Sequence, residues 1–425
     1  MDWSAIDEAV AAGLPRAVTL LEALIAEPST VGHEQGAQQI VARDLKDAGF
    51  DVSRRPIPAD IADDPVAGIP QTSYMGRYDV VGTRGVGASP SLLLNGHVDV
   101  VPADEPARWA SPPFEPRIRD GWLFGRGAGD MKAGFAAGLL ALRALDDAWP
   151  GWLDGQLSFV SVIEEECTGN GTLAAARAGV IADAVLLPEP TDLQVLLGGV
   201  GIVWVGIDVD GRAGHAEAAQ RSVNPIDAVA RIVDALRDLE RGINEPHDSG
   251  ADVDPAFATV PHPYNVNIGT VQGGAWPSSV PAGARLGVRV GFPRAWTTDE
   301  ALTRIRGAVH EACRDDDWFA AHPPAVRLTG FRAEGHALAA DHPIVDALAR
   351  AHHHAHGEDP DRVTMGTTTD ARYYLNQFDR PALAYGPRAR NIHGIDESVE
   401  VASIEQCART LARFLGAWFH PRVLG

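Results

Sequence analysis

The chain has 425 residues, 45% hydrophobic and 22% charged, with 36 Lys and Arg against 57 Asp and Glu for a net charge of −21. That length exceeds one ordinary core, so two domains are expected. The acidity argues against nucleic acid or anionic lipid as a partner, and the longest apolar runs fall far short of a membrane span. Three cysteines (Cys167, Cys313, Cys407) cannot build a disulfide framework and fit a reducing cytoplasm. The acidic start, Met1 to Val10, differs from the basic start of a signal peptide.

In chain order, residues 17–26 and 34–48 read as helices, the second closed by Gly49. Phe50-Asp51-Val52 opens a strand, and Tyr78–Val81 forms another. Gly82–Gly87 lacks the Lys-Ser/Thr ending of a phosphate loop and reads as a hairpin turn. Leu92-Leu93-Leu94 is the apolar run of a strand buried on both faces, followed by His97 and Asp99. Positions i and i+2 of an extended chain point the same way, so Asp99 is placed to orient the His97 ring. Gly125–Gly134 leads into a helix with Phe135, Leu139, Leu142 and Leu145 at helical spacing. Asp130 therefore falls at a helix N-terminus, which favours an anion.

Three more apolar runs follow the same pattern. Leu157–Ile163 leads to Glu164-Glu165-Glu166, Ala184–Leu187 to Glu189, and Pro381–Tyr385 to His393. Open α/β sheets gather their sites at the carboxyl ends of strands. The middle reads differently: strand 203–209, helix 222–243, strands 265–271 and 284–290 joined through Gly273-Gly274, helix 298–313 and strand 325–329. This β-α-β-β-α-β order is ferredoxin-like, and residues 200–332 interrupt an α/β domain made of 1–199 and 333–425. His352-His353-His354 lie in a helical segment, about 100° apart around its axis, so they cannot converge on one ion and are expected at the surface.

The strand-end set is His97, Asp130, Glu166, Glu189 and His393. Two imidazoles and three carboxylates suit zinc, cobalt or manganese better than calcium or magnesium. Packed carboxylates repel unless cations neutralise them, and one carboxylate bridging two ions satisfies the set. The chemistry also needs a base held close to the ions but off them, which the Glu164-Glu165-Glu166 run offers.

His97-Val-Asp99-Val-Val-Pro, Gly125-Arg-Gly-Ala-Gly-Asp130-Met-Lys-Ala-Gly, Glu165-Glu166, Glu189-Pro-Thr and His393, in this order, resemble the signature set of the di-zinc aminoacylase family. That family includes acetylornithine deacetylase, succinyl-diaminopimelate desuccinylase and carboxypeptidase G. The resemblance spans the whole chain. It implies a phosphorylase/hydrolase-like α/β catalytic domain with a central mixed sheet flanked by helices, and an inserted ferredoxin-like α+β lid and dimerisation domain. It implies two divalent ions, zinc first with cobalt or manganese as alternatives. Asp130 would bridge them, ahead of a cis bond to Met131. His97 and Glu189 would complete one site, and Glu166 and His393 the other. Glu165 would be the general base and acid, and Asp99 the orienter of His97.

In the inserted unit, Gly211-Arg-Ala-Gly-His215-Ala is similar to the family's lid motif, whose His reaches the partner's site and steadies the oxyanion. Ser278 stands where many relatives carry Asn, and Arg289 matches a lid arginine able to hold a substrate carboxylate. Gly366–Arg372, with Asp370, resembles a loop near the site, and Arg388 and Arg390 are offered as anion binders. The implied activity is removal of the acyl group from an N-acyl amino acid through a water held between the ions, in a cytoplasmic homodimer. A dipeptidase or carboxypeptidase of the same family is the alternative, and a non-catalytic metal-binding protein the remote one.

Overall fold

The computed structural model describes residues 1–87 and 89–424. The main sheet is mixed, in the order Asp51–Pro56, Tyr78–Gly85, Gln156–Val162, Ser91–His97, Ala184–Leu187, Ala382–Ala384, Val195–Gly199 and His336–Ala337, with Arg362–Met365 also paired to Val195–Gly199. Its four central strands, Gln156–Val162, Ser91–His97, Ala184–Leu187 and Ala382–Ala384, are mutually parallel. Their carboxyl ends therefore lie side by side at one edge.

Alternation along these strands divides two cores. Leu92, Leu94, Leu157, Phe159, Ala184 and Leu186 pack with the helices Trp3–Ala26, Ala133–Ala148, Pro343–His356 and Val401–Phe419. Leu93, Val160, Val162, Val185 and Leu187 face the other way, onto the helices Asn170–Arg177 and Ala371–Gln377. Burial on both faces is why these strands read as continuous apolar runs rather than alternating ones.

A second sheet is antiparallel, in the order Val266–Gly273, Gly283–Phe292, Gly201–Asp210 and Ala325–Ala333, as the β-α-β-β-α-β pattern requires. The helices Pro225–Asp248 and Thr298–Glu311 cover one face, enclosing Val203, Val205, Ile207 and Val209 in a separate apolar cluster. A small sheet pairs Ala389–Arg390, Ser398–Glu400, Trp122–Phe124 and Arg117–Arg119.

Three local expectations change. The first helix starts at Trp3, not at residue 17, and runs through Gly13 and Pro15 for 24 residues. It is long and apolar enough to cross a membrane by length and composition. Ile6, Val10, Leu20, Leu21, Leu24 and Ile25 are buried in the core, however, and this packing overrides the local helix breakers. The Gly82–Gly87 segment mostly continues its strand to Gly85, and Tyr78–Gly85 pairs with Gln156–Val162 rather than with Ser91–His97, so it is no hairpin turn; Ala88 lies outside the described residues. His352 is buried, with Nδ1 2.7 Å from the Tyr385 hydroxyl, while His353 and His354 are exposed as expected.

The helix Ala133–Ala148 meets the Ala184–Leu187 strand end closely. A β-carbon at Gly134 would fall well inside contact distance of the Pro188 carbonyl oxygen. Gly134→Ala should therefore cost about 1–3 kcal/mol of folding stability, read from the denaturant midpoint, and should weaken metal retention by displacing the adjoining Glu189. Unchanged stability would refute this close packing.

Candidate metal centre

The carboxyl ends of the four parallel strands deliver the side chains. Ser91–His97 ends on His97, which is 1% exposed. Its Nδ1 lies 2.9 Å from the Asp99 main-chain carbonyl and 3.7 Å from the Asp99 carboxylate. The ring is thus oriented by a backbone acceptor, with Nε2 left free for an ion. The Asp99 carboxylate is engaged elsewhere, and its two oxygens accept the N–H groups of Glu165 (3.2 Å) and Glu166 (3.1 Å). The strand pleat ends at His97, and the hydrogen bond from its ring runs to the Asp99 main-chain carbonyl rather than to the carboxylate expected from a shared strand face.

Asp130 lies in the turn Ala128–Lys132, with non-helical φ −108° and ψ 100° and a cis bond to Met131. Its Oδ1 is 3.1 Å from His97 Nε2, and its Oδ2 is 3.4 Å from His393 Nε2. Glu189 comes within 3.9 Å of His97 Nε2, and Glu166 within 2.9 Å of His393 Nε2. Two donor groups result, His97–Asp130–Glu189 and Asp130–Glu166–His393, each within 4.8 Å and sharing Asp130.

The electrostatics fit cations. Burial disfavours a charged His97, yet Asp130 and Glu189 raise its pKa well above normal. The Glu166 charge lifts His393 to about 11. Burial opposes ionisation of Asp130, but hydrogen bonds from His393 and His97 hold it below the usual carboxylate range. Burial, partly offset by His97, pushes Glu189 up. An ion seated on these imidazole nitrogens would displace any proton held there. The donor set fits two divalent ions.

Glu165 sits beside these groups without joining either. Burial, then the nearby Asp370 charge, raises its pKa well above the ordinary value. Glu164 turns away at φ 62°, and Tyr74 (2.6 Å), Thr168 (2.8 Å) and Arg77 hold its carboxylate. The three consecutive glutamates are therefore a structural anchor, a free carboxyl and a donor.

A cavity of about 340 Å³ opens next to Asp130, Glu165, Glu166, Glu189 and His393. Arg289 lines it, its Nη2 donating to the Gly366 carbonyl at 3.0 Å. Other expected residues are not brought there. Asp370 is 1% exposed and lies behind Glu165, and its neighbours Thr367, Thr368 and Thr369 line the cavity instead. Arg388 donates to Glu400 and Gln406. Arg390 stacks on Trp122, 4.0 Å from the ring centre, and donates to Ser398. His215 and Ser278 are exposed on the Gly214–His215 and Ser279–Val280 ribbon, away from this cavity.

Sequence reasoning missed Glu397. It is buried, and its carboxylate accepts the N–H groups of Gly127, Gly129 and Asp130 at 3.0–3.1 Å. Arg126 donates to it at 2.6 Å and also reaches the His393 carbonyl. Glu397 thereby ties the Asp130 turn to the His393 loop. An acidic residue four places after His393 was its only signal.

Residues 93–417 match the sequence profile of Peptidase family M20/M25/M40. The succinyl-diaminopimelate desuccinylase of Caulobacter sp. (strain K31) is 30% identical over 414 residues, covering 95% of this chain and 96% of that protein. The fold matches the di-peptidase Dug1p from Saccharomyces cerevisiae with a TM-score of 0.81, at 15% identity over 98% of both chains. It also matches a dinuclear metal binding peptidase from Bacillus subtilis with a TM-score of 0.60, at 14% identity over 95% of this chain and 98% of that one. The chain belongs to Peptidase family M20/M25/M40 and is a metal-dependent hydrolase of amide bonds that takes two divalent ions.

Proposed function

We propose that this enzyme removes the acyl group from an N-acyl amino acid, in the manner of acetylornithine deacetylase. The observation that carries this reading is the divided Asp130 carboxylate, one oxygen toward His97 and the other toward His393, with Glu165 buried alongside. His97, Asp130 and Glu189 would hold one ion, and Asp130, Glu166 and His393 the other. Zinc suits this mixed set first, with cobalt or manganese as alternatives. When bound, such a pair polarises a carbonyl and lowers the pKa of water.

The chain's own groups supply the rest. Glu165 takes a proton from the attacking water and delivers it to the departing amine nitrogen. Burial and the neighbouring carboxylates raise its affinity for a proton, which suits a group that takes one up and passes it on. Asp99 positions the reaction from behind, through its carbonyl on His97 and its carboxylate on Glu165 and Glu166. Arg289 would receive the substrate carboxylate.

In this reading residues 1–199 and 333–425 form the catalytic domain, and 200–332 the lid and dimerisation domain. Its separate apolar cluster supports that division. The exposed His215 ribbon, remote from its own cavity, suits a histidine that serves the site of a second copy and steadies the oxyanion there. Ser278 borders it through its carbonyl, which accepts the Ala216 N–H at 3.1 Å. Three free, buried cysteines fit a cytoplasmic location.

A dipeptidase or carboxypeptidase is the second reading, supported by the fold shared with a di-peptidase. Metal-loaded enzyme should turn over N-acetyl, N-formyl or N-succinyl amino acids faster than dipeptides; the reverse order favours the second reading.

Chelation with EDTA should abolish turnover, and zinc or cobalt should restore it. Full activity in protein shown by elemental analysis to be metal-free would sink the proposal. Glu165→Gln should lower kcat by about 10²–10⁴ while metal content stays unchanged. Mixing Glu165→Gln with His215→Ala subunits, each inactive alone, should recover about a quarter of wild-type activity, since half of the dimers then carry one intact site. No recovery on verified subunit exchange would remove His215 from the partner's site.

A further inference from the structure

The cavity beside Asp130 has two unlike walls. One carries the carboxylates and His393. The other comes from the second sheet, where Ile202 and Trp204 are two apart on one strand and share a face. Arg289 stands directly opposite Trp204 on the neighbouring strand. Phe331 meets the indole edge to face, with ring centroids 5.3 Å apart. A β-carbon at Gly330 would lie 2.5 Å from the indole, so the ring's seat depends on the missing side chain there. Trp204 is thereby braced on two sides, and part of its surface lines the cavity.

Charge sets a second condition. Asp130, Glu165, Glu166 and Glu189 line the cavity, four negative charges when ionised. Two divalent ions would bring four positive charges to answer these four. Arg289 is the one guanidinium or ammonium group among the described residues lining the cavity, and no described carboxylate pairs with it. One positive charge is left over.

We infer, on the amide-hydrolase reading above, that the enzyme selects substrates with one carboxylate for Arg289 and one aromatic or branched apolar group for the Trp204–Phe331 wall. A second or third carboxylate would have to be desolvated against that wall with no cation to meet it. An aromatic group instead removes apolar surface from water on both partners and presents an edge or face to the indole. Polyanionic N-succinyl-diaminopimelate is therefore a poor substrate, although a desuccinylase shares 30% of its sequence with this chain.

The decisive measurement is kcat/KM of the zinc-loaded enzyme on N-acetylphenylalanine, N-benzoylglycine, N-acetylalanine, N-acetylaspartate and N-succinyl-diaminopimelate. At least one of the two aromatic compounds should exceed N-acetylalanine by about 10–200-fold, and the two polyanions should fall below it. Trp204→Ala should collapse the aromatic-to-alanine ratio toward one, and Trp204→Phe should restore most of it. Calorimetric Kd values with metal-loaded Glu165→Gln should follow the same order, which separates recognition from chemistry. Preference for either polyanion, or an aromatic ratio that Trp204→Ala does not move, overturns the inference while leaving the hydrolase reading intact. Turnover of none of the five, nor of dipeptides, overturns that reading and the inference with it.

Discussion

The structure depends on holding several carboxylates together at the buried edge of one sheet. Asp130, Glu166 and Glu189 stand within bonding reach of two imidazoles, and Glu165 is beside them. Like charges so close are unfavourable in a poorly hydrated site unless cations answer them. Everything around the centre limits that cost or directs it. His97 is turned by a main-chain carbonyl, so its outer nitrogen faces Asp130. Glu164, Glu165 and Glu166 are separated into different environments by a left-handed turn and by Asp99, which holds two consecutive peptide N–H groups.

A second set of buried charges works at the periphery. Glu397 receives three main-chain donors and Arg126, fixing the turn that presents Asp130 relative to the loop that presents His393. Arg77 joins Glu164 to Glu34 and so ties the Glu165–Glu166 turn to the start of the helix Gln35–Asp47. The residues of these pairs are not among those lining the cavity. They give a fixed geometry to ligands that would otherwise spring apart, and they are anchored in elements whose apolar faces lie in the same large core.

The second sheet supplies the cavity wall opposite the metal ligands. Its helix-covered face is core, and on its other face Ile202, Trp204, Arg289 and Phe331 line the cavity, Ile202 and Phe331 at the border of a smaller apolar cluster. The candidate metal ligands and the apolar cavity wall thus come from different sheets.

The strand-end pattern was legible in the chain itself. Four apolar runs, each followed by His or Glu, announced a shared edge, because strands buried on both faces have little room for polar residues except at their ends. The β-α-β-β-α-β order was legible for a similar reason: its strands and helices keep clear periods. Periodicity does not tell which atom of Asp99 meets His97, because the pleat ends two residues earlier, at His97. It does not tell that Asp370 is sealed behind Glu165, nor that Arg388 and Arg390 are taken up by Glu400, Gln406 and Trp122. Glu397 and the Trp204–Phe331 wall were invisible for the same reason. Local pattern therefore settles which residue types reach the ends of the strands. Which of them converge is settled by the folded chain, because convergence depends on loops and cross-sheet contacts that no local spacing encodes.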